Sequence, residues 1–223
     1  MEHENIPQEG QFAFLNVARV KRYFADLNID LLQGKHIMAD DYNSFQLVRE
    51  YFDELKYYYS ELYQLNLIRI KRGDNTYYFY LDFPDENKGK LYSSNRHKEL
   101  SQQQIIIGII LINMYYDRYF EYPKEIFWEN LRYEIEQSEF KELYKKLLWG
   151  EVRDYYTDKE WERVQDLFRR TISNFTQLGW LTKLSKGKDD IHFELKESIH
   201  RFAELYKSEI EDFPQFASKI KII

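Results

Sequence analysis

Apolar residues recur at helical spacing through the first part of the chain. Over residues 12–31 they lie three or four positions apart, which predicts a helix that stops before Gly34. The same spacing continues from Asp40 or Asp41, both favourable N-cap residues, to Leu65. One long helix is therefore predicted there.

The pattern then changes to two short runs of β-branched and aromatic residues, 67–72 and 76–83, separated by a Gly-Asp-Asn turn. This pattern predicts a β-hairpin. The next segment, 84–90, is polar and carries Pro and Gly, so we interpret it as an interdomain linker. The domain boundary is expected between Pro84 and Leu100.

Two capping boxes mark helix starts in the second half, Ser101 with Gln104 and Thr157 with Glu160. The elements predicted from the pattern are a helix over 102–120, a short strand around 125–128, helices over 129–137 and 139–149, a helix from Thr157 to Leu178, a hairpin of strands 180–184 and 191–195, and a final helix over 198–212 that Pro214 ends.

An internal repeat relates the two halves. The segment 64–69, which ends the second helix and enters the first hairpin, corresponds in role to 177–182, with Asn66 aligned to Gly179. Helices followed by a hairpin are the pattern of a winged-helix domain. We therefore predict a mainly α fold with small β-hairpins (α+β), built from tandem winged-helix domains over residues 1–92 and 93–223, the second closed by a C-terminal helix.

Composition narrows the class of protein. The 223 residues are 43% hydrophobic and contain no Cys, which excludes disulfide scaffolds, thiolate metal sites and cysteine nucleophiles. The first ten residues lack the pattern of a signal peptide. The longest apolar run, 105–114, is about half of the roughly 20 residues that a membrane span needs. A cytoplasmic protein without membrane segments is expected.

The net charge of −6 would weakly repel a phosphate backbone, so any contact with nucleic acid must use a local basic patch. Aromatic residues make up 18%, with 20 Tyr and 16 Phe, a content typical of interaction surfaces. An AT-rich coding sequence would give the same enrichment. The helix over 102–120 and the tyrosines around Tyr57 are candidate dimer surfaces.

One surface has the composition of a DNA contact. Arginines on the helix from Thr157 and lysines on the following hairpin form it: Arg163, Arg169, Arg170, Lys183, Lys186 and Lys188. The alternative is that Arg169 and Arg170 pair with carboxylates such as Asp166. A secondary candidate is the first hairpin, with Arg69, Lys71 and Arg72, where charge that protects a solvated hairpin edge is the favoured interpretation. The helix over 41–65 is mostly acidic on its polar face and is a poor DNA reader.

Catalytic signatures are missing from the sequence. It has no nucleotide-binding glycine loop, no zinc-protease motif and no nucleophile elbow. The five histidines lack the mutual spacing of metal ligands, and Asp189, Asp190 and His192 are interpreted as exposed hairpin residues. We expect no enzyme activity, no metal and no cofactor.

Several segments resemble the MukE-like subunits of bacterial condensins, particularly the MksE branch, which is related to a component of the Wadjet plasmid-defence system. The segments that carry this resemblance are Gly34-Lys35-His36-Ile37, 77–84 (YYFYLDFP), 88–91 (KGKL), 113–121 (NMYYDRYFE), 147–156 and 170–181.

The resemblance implies a non-catalytic kite protein of tandem winged helices. It implies a homodimer that binds a kleisin (MksF-like) and, through it, an SMC-like ATPase (MksB-like), with a toprim-type nuclease (MksG-like) as a further partner in plasmid defence. DNA would be held nonspecifically within that complex, for chromosome organisation or plasmid restriction at the nucleoid. Two other classes stay open: a stand-alone winged-helix transcription regulator and, less favoured, a hydrolase or nuclease.

Overall fold

The computed structural model describes residue 10 and residues 12–72, 76–83, 100–187 and 190–220. The chain divides into two compact units, Met1–Lys98 and Glu99–Ile223. The predicted linker, 84–90, lies outside the described residues.

In its described residues the first unit contains three helices and one hairpin. A short 3₁₀ turn, Ala13–Asn16, is followed by α1 (Ala18–Leu32), α2 (Tyr42–Glu50) and α3 (Phe52–Tyr63), and then by β1 (Asn66–Arg72) and β2 (Thr76–Asp82). The first helix begins later than predicted, because Val17 has extended backbone and separates the 3₁₀ turn from α1.

The single long helix predicted up to Leu65 is wrong, because the structure breaks it at Tyr51. This residue has φ −113° and ψ 37°, outside the helical region, and ends α2 while preceding α3. Asp53 and Glu54 then lie in the first turn of α3, where carboxylates are favoured by the helix dipole. The apolar stripe continues across the break, so its spacing gave no warning of it.

The hairpin is confirmed, and a third segment joins its sheet. β1 and β2 pair antiparallel in the register Leu67 to Leu81 and Arg69 to Phe79. Ile37, in the loop after α1, forms an isolated antiparallel bridge with Phe79 on the other side of β2. The core of this unit lies between the sheet and the helices and includes Leu31, Val48, Leu55 and Tyr59.

The second unit is larger. Its elements are α4 (Gln102–Asp117), β3 (Lys124–Phe127), α5 (Trp128–Gln137), α6 (Lys141–Trp149), α7 (Asp158–Gln177), β4 (Leu181–Lys183), β5 (His192–Leu195), a 3₁₀ turn (Glu197–Ile199), α8 (His200–Leu205), α9 (Lys207–Glu211) and α10 (Phe213–Lys219).

The second hairpin is part of a three-stranded sheet with the order β3-β5-β4. Ile126 of β3 pairs with Phe193 of β5, so β5 lies in the centre. This pairing joins strands more than 60 residues apart in sequence, and local patterning does not reveal it.

The predicted final helix, 198–212, is also wrong as a single element. Two short helices, α8 and α9, replace it, and a third, α10, follows. Pro214 lies in the first turn of α10 and does not end a helix. Pro is favoured there because its missing N–H needs no partner at a helix start. Asp212 caps the same turn by accepting a hydrogen bond from the backbone of Gln215 at 3.2 Å.

The helix α4 passes through the middle of the second core. Nine of its residues are buried, from Ile106 to Tyr115. The apolar surface of residues 106–115 is therefore used within its own unit and is not available as a dimer surface. Tyr57 is half-buried and packs against Phe12 at a ring separation of 5.7 Å, so it is not an exposed aromatic either.

All four tryptophans lie in the second unit. Trp161 is in edge contact with Trp128, at 6.0 Å between ring centres, and with Trp149, at 4.8 Å. Trp180 packs at 4.9 Å against the buried ring of Phe175. Through Trp128, Trp149 and Trp161, α5, α6 and α7 pack against one another.

The two units share an order of elements: a helix, a bridge or short strand, further helices, then two antiparallel strands with the first segment paired to the last. The helix-to-strand turns match through their left-handed residues, Gln64 with φ 57° and Gly179 with φ 72°. The predicted alignment of Asn66 with Gly179 is thus two residues out of register.

The predicted fold class, mainly α with small antiparallel sheets, is confirmed. Among the described residues, no helix has the length and apolar character that spanning a membrane requires.

Candidate nucleic-acid interface

The helix α7 positions most of the predicted DNA-binding residues. Its start is fixed by Thr157, whose backbone N–H and hydroxyl both donate to the carboxylate of Glu160, at 2.8 and 2.9 Å. The same carboxylate pairs with Arg153. These hydrogen bonds lower the pKa of Glu160 to about 2, and the one from the Thr157 backbone has the largest effect. The carboxylate therefore stays ionised and engaged with Thr157 and Arg153.

One face of α7 is buried and the other is exposed. The buried face includes Trp161, Val164, Phe168 and Phe175. The exposed positions carry mixed charge in the first turns and basic or neutral polar groups in the last: Lys159, Glu162, Arg163, Asp166, Arg170, Ser173 and Gln177. The C-terminal half of this face has the composition of a phosphate-binding surface.

Arg163 and Arg170 lie seven residues apart on the same side of α7, about 10 Å along its axis. Both line a cavity of about 600 Å³ that is also bordered by the start of α4, Ser101–Gln103, and the end of α6, Leu147–Gly150. The backbone N–H groups at the start of a helix favour anions. Two arginines, Glu160 and a helix N-terminus thus border one cavity.

Arg169 does not belong to this group. It lies about 100° around the helix from Arg170, and its guanidinium pairs with Asp166 at 2.6 Å. The alternative interpretation from sequence was that Arg169 and Arg170 both pair with carboxylates such as Asp166, and it is confirmed for Arg169 only. Arg170 contacts the same residue only through its backbone carbonyl, at 3.4 Å, which leaves its charge without a carboxylate partner among the described residues.

Lys183 and Lys186 are exposed at the end of β4 and in the following loop. Lys188 lies outside the described residues. Because α7 leads through the turn at Gly179 directly into β4, Lys183 and Arg170 belong to one continuous helix-to-strand segment.

The first unit presents a different surface. The Arg69 guanidinium lies 4.7 Å from the centre of the Phe52 ring, and Lys71 is exposed. Arg72 is half-buried and makes contacts of its own. The exposed face of α3 carries three carboxylates against one lysine: Asp53, Glu54 and Glu61, with Lys56.

His192 has the surroundings of a structural residue. His192 bonds Glu125 at 2.7 Å and stacks on Phe127 at 4.1 Å. Asp189, a neighbour of His192 in sequence, lies outside the described residues. No group of three His, Asp or Glu side chains in the described part of the chain could hold a metal ion.

Sequence reasoning missed Lys124, which is 6% exposed. Its ammonium donates to the carbonyl oxygens of Glu121 at 3.0 Å and Tyr119 at 3.4 Å and lies 4.9 Å from the centre of the Tyr115 ring. The signal available was its place two residues before Ile126, on the same buried face of β3.

A search among curated proteins found no match.

The family model of condensin complex protein MksE matches residues 22–207, more than half of the chain. The matched segment extends from α1 to the start of α9 and so takes in elements of both units. The chain therefore belongs to the MksE family of condensin complex proteins.

Proposed function

We propose that this chain is a non-catalytic subunit of a bacterial condensin complex that bridges a kleisin and DNA. The observation that carries the proposal is the match to the MksE family over residues 22–207. The chain acts in the cytoplasm at the nucleoid as a homodimer and binds the SMC-like ATPase through the kleisin. It uses no cofactor of its own.

The order of elements supports two winged-helix domains, over residues 1–92 and 93–223. In each unit a long helix precedes two antiparallel strands, and a segment from the loop after the first helix pairs with the last strand. In this assignment α3 and α7 occupy the position of the recognition helix.

The charge distribution supports different roles for the two domains. The exposed carboxylates of α3 disfavour phosphate and suit protein contact, whereas Arg163, Arg170, Lys183 and Lys186 suit a duplex backbone. The DNA contact is nonspecific, because guanidinium and ammonium groups that bind phosphate do not read base edges. Arg69, Lys71 and Arg72 form a minor basic group at most.

The test is purification of the tagged chain from its host at moderate salt, with mass spectrometry of the retained proteins and light scattering of the chain alone. We expect a kleisin, a long coiled-coil ATPase and a dimeric chain. A co-purifying toprim-type nuclease would assign the complex to plasmid restriction, and its absence to chromosome organisation. Recovery of a monomer without partners that binds a defined DNA sequence would overturn the proposal in favour of a transcription regulator.

A further inference from the structure

The turn that follows α4 exposes three aromatic rings within four residues. Tyr119, Phe120 and Tyr122 are 65%, 97% and 91% exposed, and Tyr116, one helical turn earlier, is 49% exposed. A group of exposed apolar rings is costly to leave in water. Aromatic residues are also enriched in protein interfaces and among the residues that contribute most of the binding energy.

Hydrogen bonds and an ion pair hold the turn in one conformation. Lys124 is buried under it and binds the backbone carbonyls of Tyr119 and Glu121. Two backbone hydrogen bonds, from Tyr119 to Tyr116 and from Glu121 to Arg118, close it, and the Arg118 side chain pairs with Glu121 at 2.7 Å. Because the turn is already ordered, it loses little conformational entropy when a partner binds.

The charge beside the rings is negative. Asp117 is exposed at the last residue of α4, where the helix dipole adds further negative potential. Burial raises the pKa of Glu134, and the nearby Asp117 and Glu139 raise it further, so two other carboxylates lie close enough to Glu134 to act on its charge. The cations of the turn, Arg118 and Lys124, are engaged within it.

We propose that the aromatic turn, residues 118–123 with Asp117, is the docking surface for a segment of another condensin subunit that carries Lys or Arg beside apolar residues. The inference rests on the proposed function. Guanidinium and ammonium groups bind the faces of Tyr and Phe rings, and they also bind carboxylates. One basic segment can therefore contact both the exposed rings and the negative charge beside them.

The same charges argue against the other occupants. A second copy docked here through a two-fold axis would bring its own Asp117 and Glu134 to the same negative region. Duplex DNA would meet carboxylates in place of cations. A basic protein segment is the occupant that the local charge favours.

The experiment compares tagged variants in the purification from the host. Phe120→Ala with Tyr122→Ala removes the two most exposed rings, and Asp117→Lys reverses the charge. Tyr155→Ala is the matched control, because Tyr155 is 72% exposed in the same unit but lies outside the turn. The probe is the set of subunits that the wild-type chain retains, and circular dichroism verifies that each variant is folded.

We expect both test variants to bind these subunits about tenfold or more weakly, with the Asp117→Lys loss largest at low salt, and the control to equal wild type. Equal retention by the test variants would overturn the inference and leave the proposed function intact. Conversion of a dimer to a monomer by the ring substitutions would also overturn it, because the surface would then serve self-association. Failure of the wild-type chain to retain any subunit would overturn the proposed function itself.

Discussion

Gly108 of α4 lies directly against the ring of Phe202 of α8. A Cβ atom placed on Gly108 would come within 2.3 Å of two ring carbons. Phe202 is fully buried and packs against Phe175, Trp180 and Tyr206. The ring therefore cannot move aside without disturbing the core, and the absence of a side chain at 108 sets the approach of α8 to α4.

The contact predicts that Gly108→Ala destabilises the protein. Alanine is the better helix former by about 1 kcal/mol, but overpacking a rigid core costs about 1–3 kcal/mol or more. We expect a net loss in the free energy of unfolding, measured by urea denaturation. Gly187→Ala is the control, since a Cβ there meets only Asp190, at 3.9 Å. A gain in stability for Gly108→Ala would contradict the described packing.

A second prediction concerns Ser198, which is fully buried and donates to the carbonyl oxygen of Gly179 at 2.5 Å. This hydrogen bond ties the 3₁₀ turn before α8 to the turn between α7 and β4. Ser198→Ala leaves a buried carbonyl unsatisfied and should cost about 1–3 kcal/mol in unfolding free energy. Ser173→Ala, at an exposed position of α7, should cost less than half as much. Equal losses for the two variants would refute the proposed importance of this bond.

The capping box of α7 predicts a pH dependence. The pKa of Glu160 is lowered to about 2 in the folded protein, so the ionised carboxylate stabilises the fold above its unfolded pKa of about 4.3. This contribution is lost as the pH falls from about 4.3 toward 2. Glu160→Gln should therefore show a smaller fall in stability between pH 6 and pH 3 than wild type. The exposed Glu162→Gln should follow wild type, and an unchanged fall for Glu160→Gln would exclude the mechanism.

Two adjacent arginines give a matched test of the DNA contact. Arg170→Gln in the assembled complex should weaken duplex binding severalfold and reduce the salt dependence by about one counterion. Arg169→Gln should have little effect, because Arg169 is paired with Asp166.

Charge reversal of Arg163, Arg170, Lys183 and Lys186 together should reduce affinity more than tenfold while kleisin binding persists. Fluorescence anisotropy of a labelled duplex measures the affinity of each variant. Equal losses of affinity for Arg169→Gln and Arg170→Gln would contradict the assignment of the DNA contact to the face of α7 that carries Arg163 and Arg170.

Local chemistry predicted the element boundaries that depend on it. Ser101 begins α4 and accepts a hydrogen bond from the backbone of Gln104, as its capping box predicted, and Gly150 ends α6 with φ 84°. These signals involve residues within a few positions of one another. The break at Tyr51 has no such signal, since Val48 and Leu55 keep the spacing of an unbroken helix.

The candidate site was only partly predictable, because local sequence patterns do not reveal contacts between distant segments. Helical spacing alone places Arg163 with Arg170 and separates Arg169 from both. The cavity that these residues share with Ser101 and Trp149 depends on contacts between segments about 15 to 70 positions apart. The position of Lys188 in this arrangement remains a prediction.

The placement of the four tryptophans makes the two halves of the chain spectroscopically distinct. Trp128, Trp149, Trp161 and Trp180 all belong to the second unit, and the first unit has only tyrosine as an indigenous fluorophore of useful yield. Excitation at the red edge of the absorption band thus follows the second unit alone, in the intact chain and without a label. Tyrosine emission comes from both units, so tryptophan emission is the signal that isolates one half of the chain while the complex assembles.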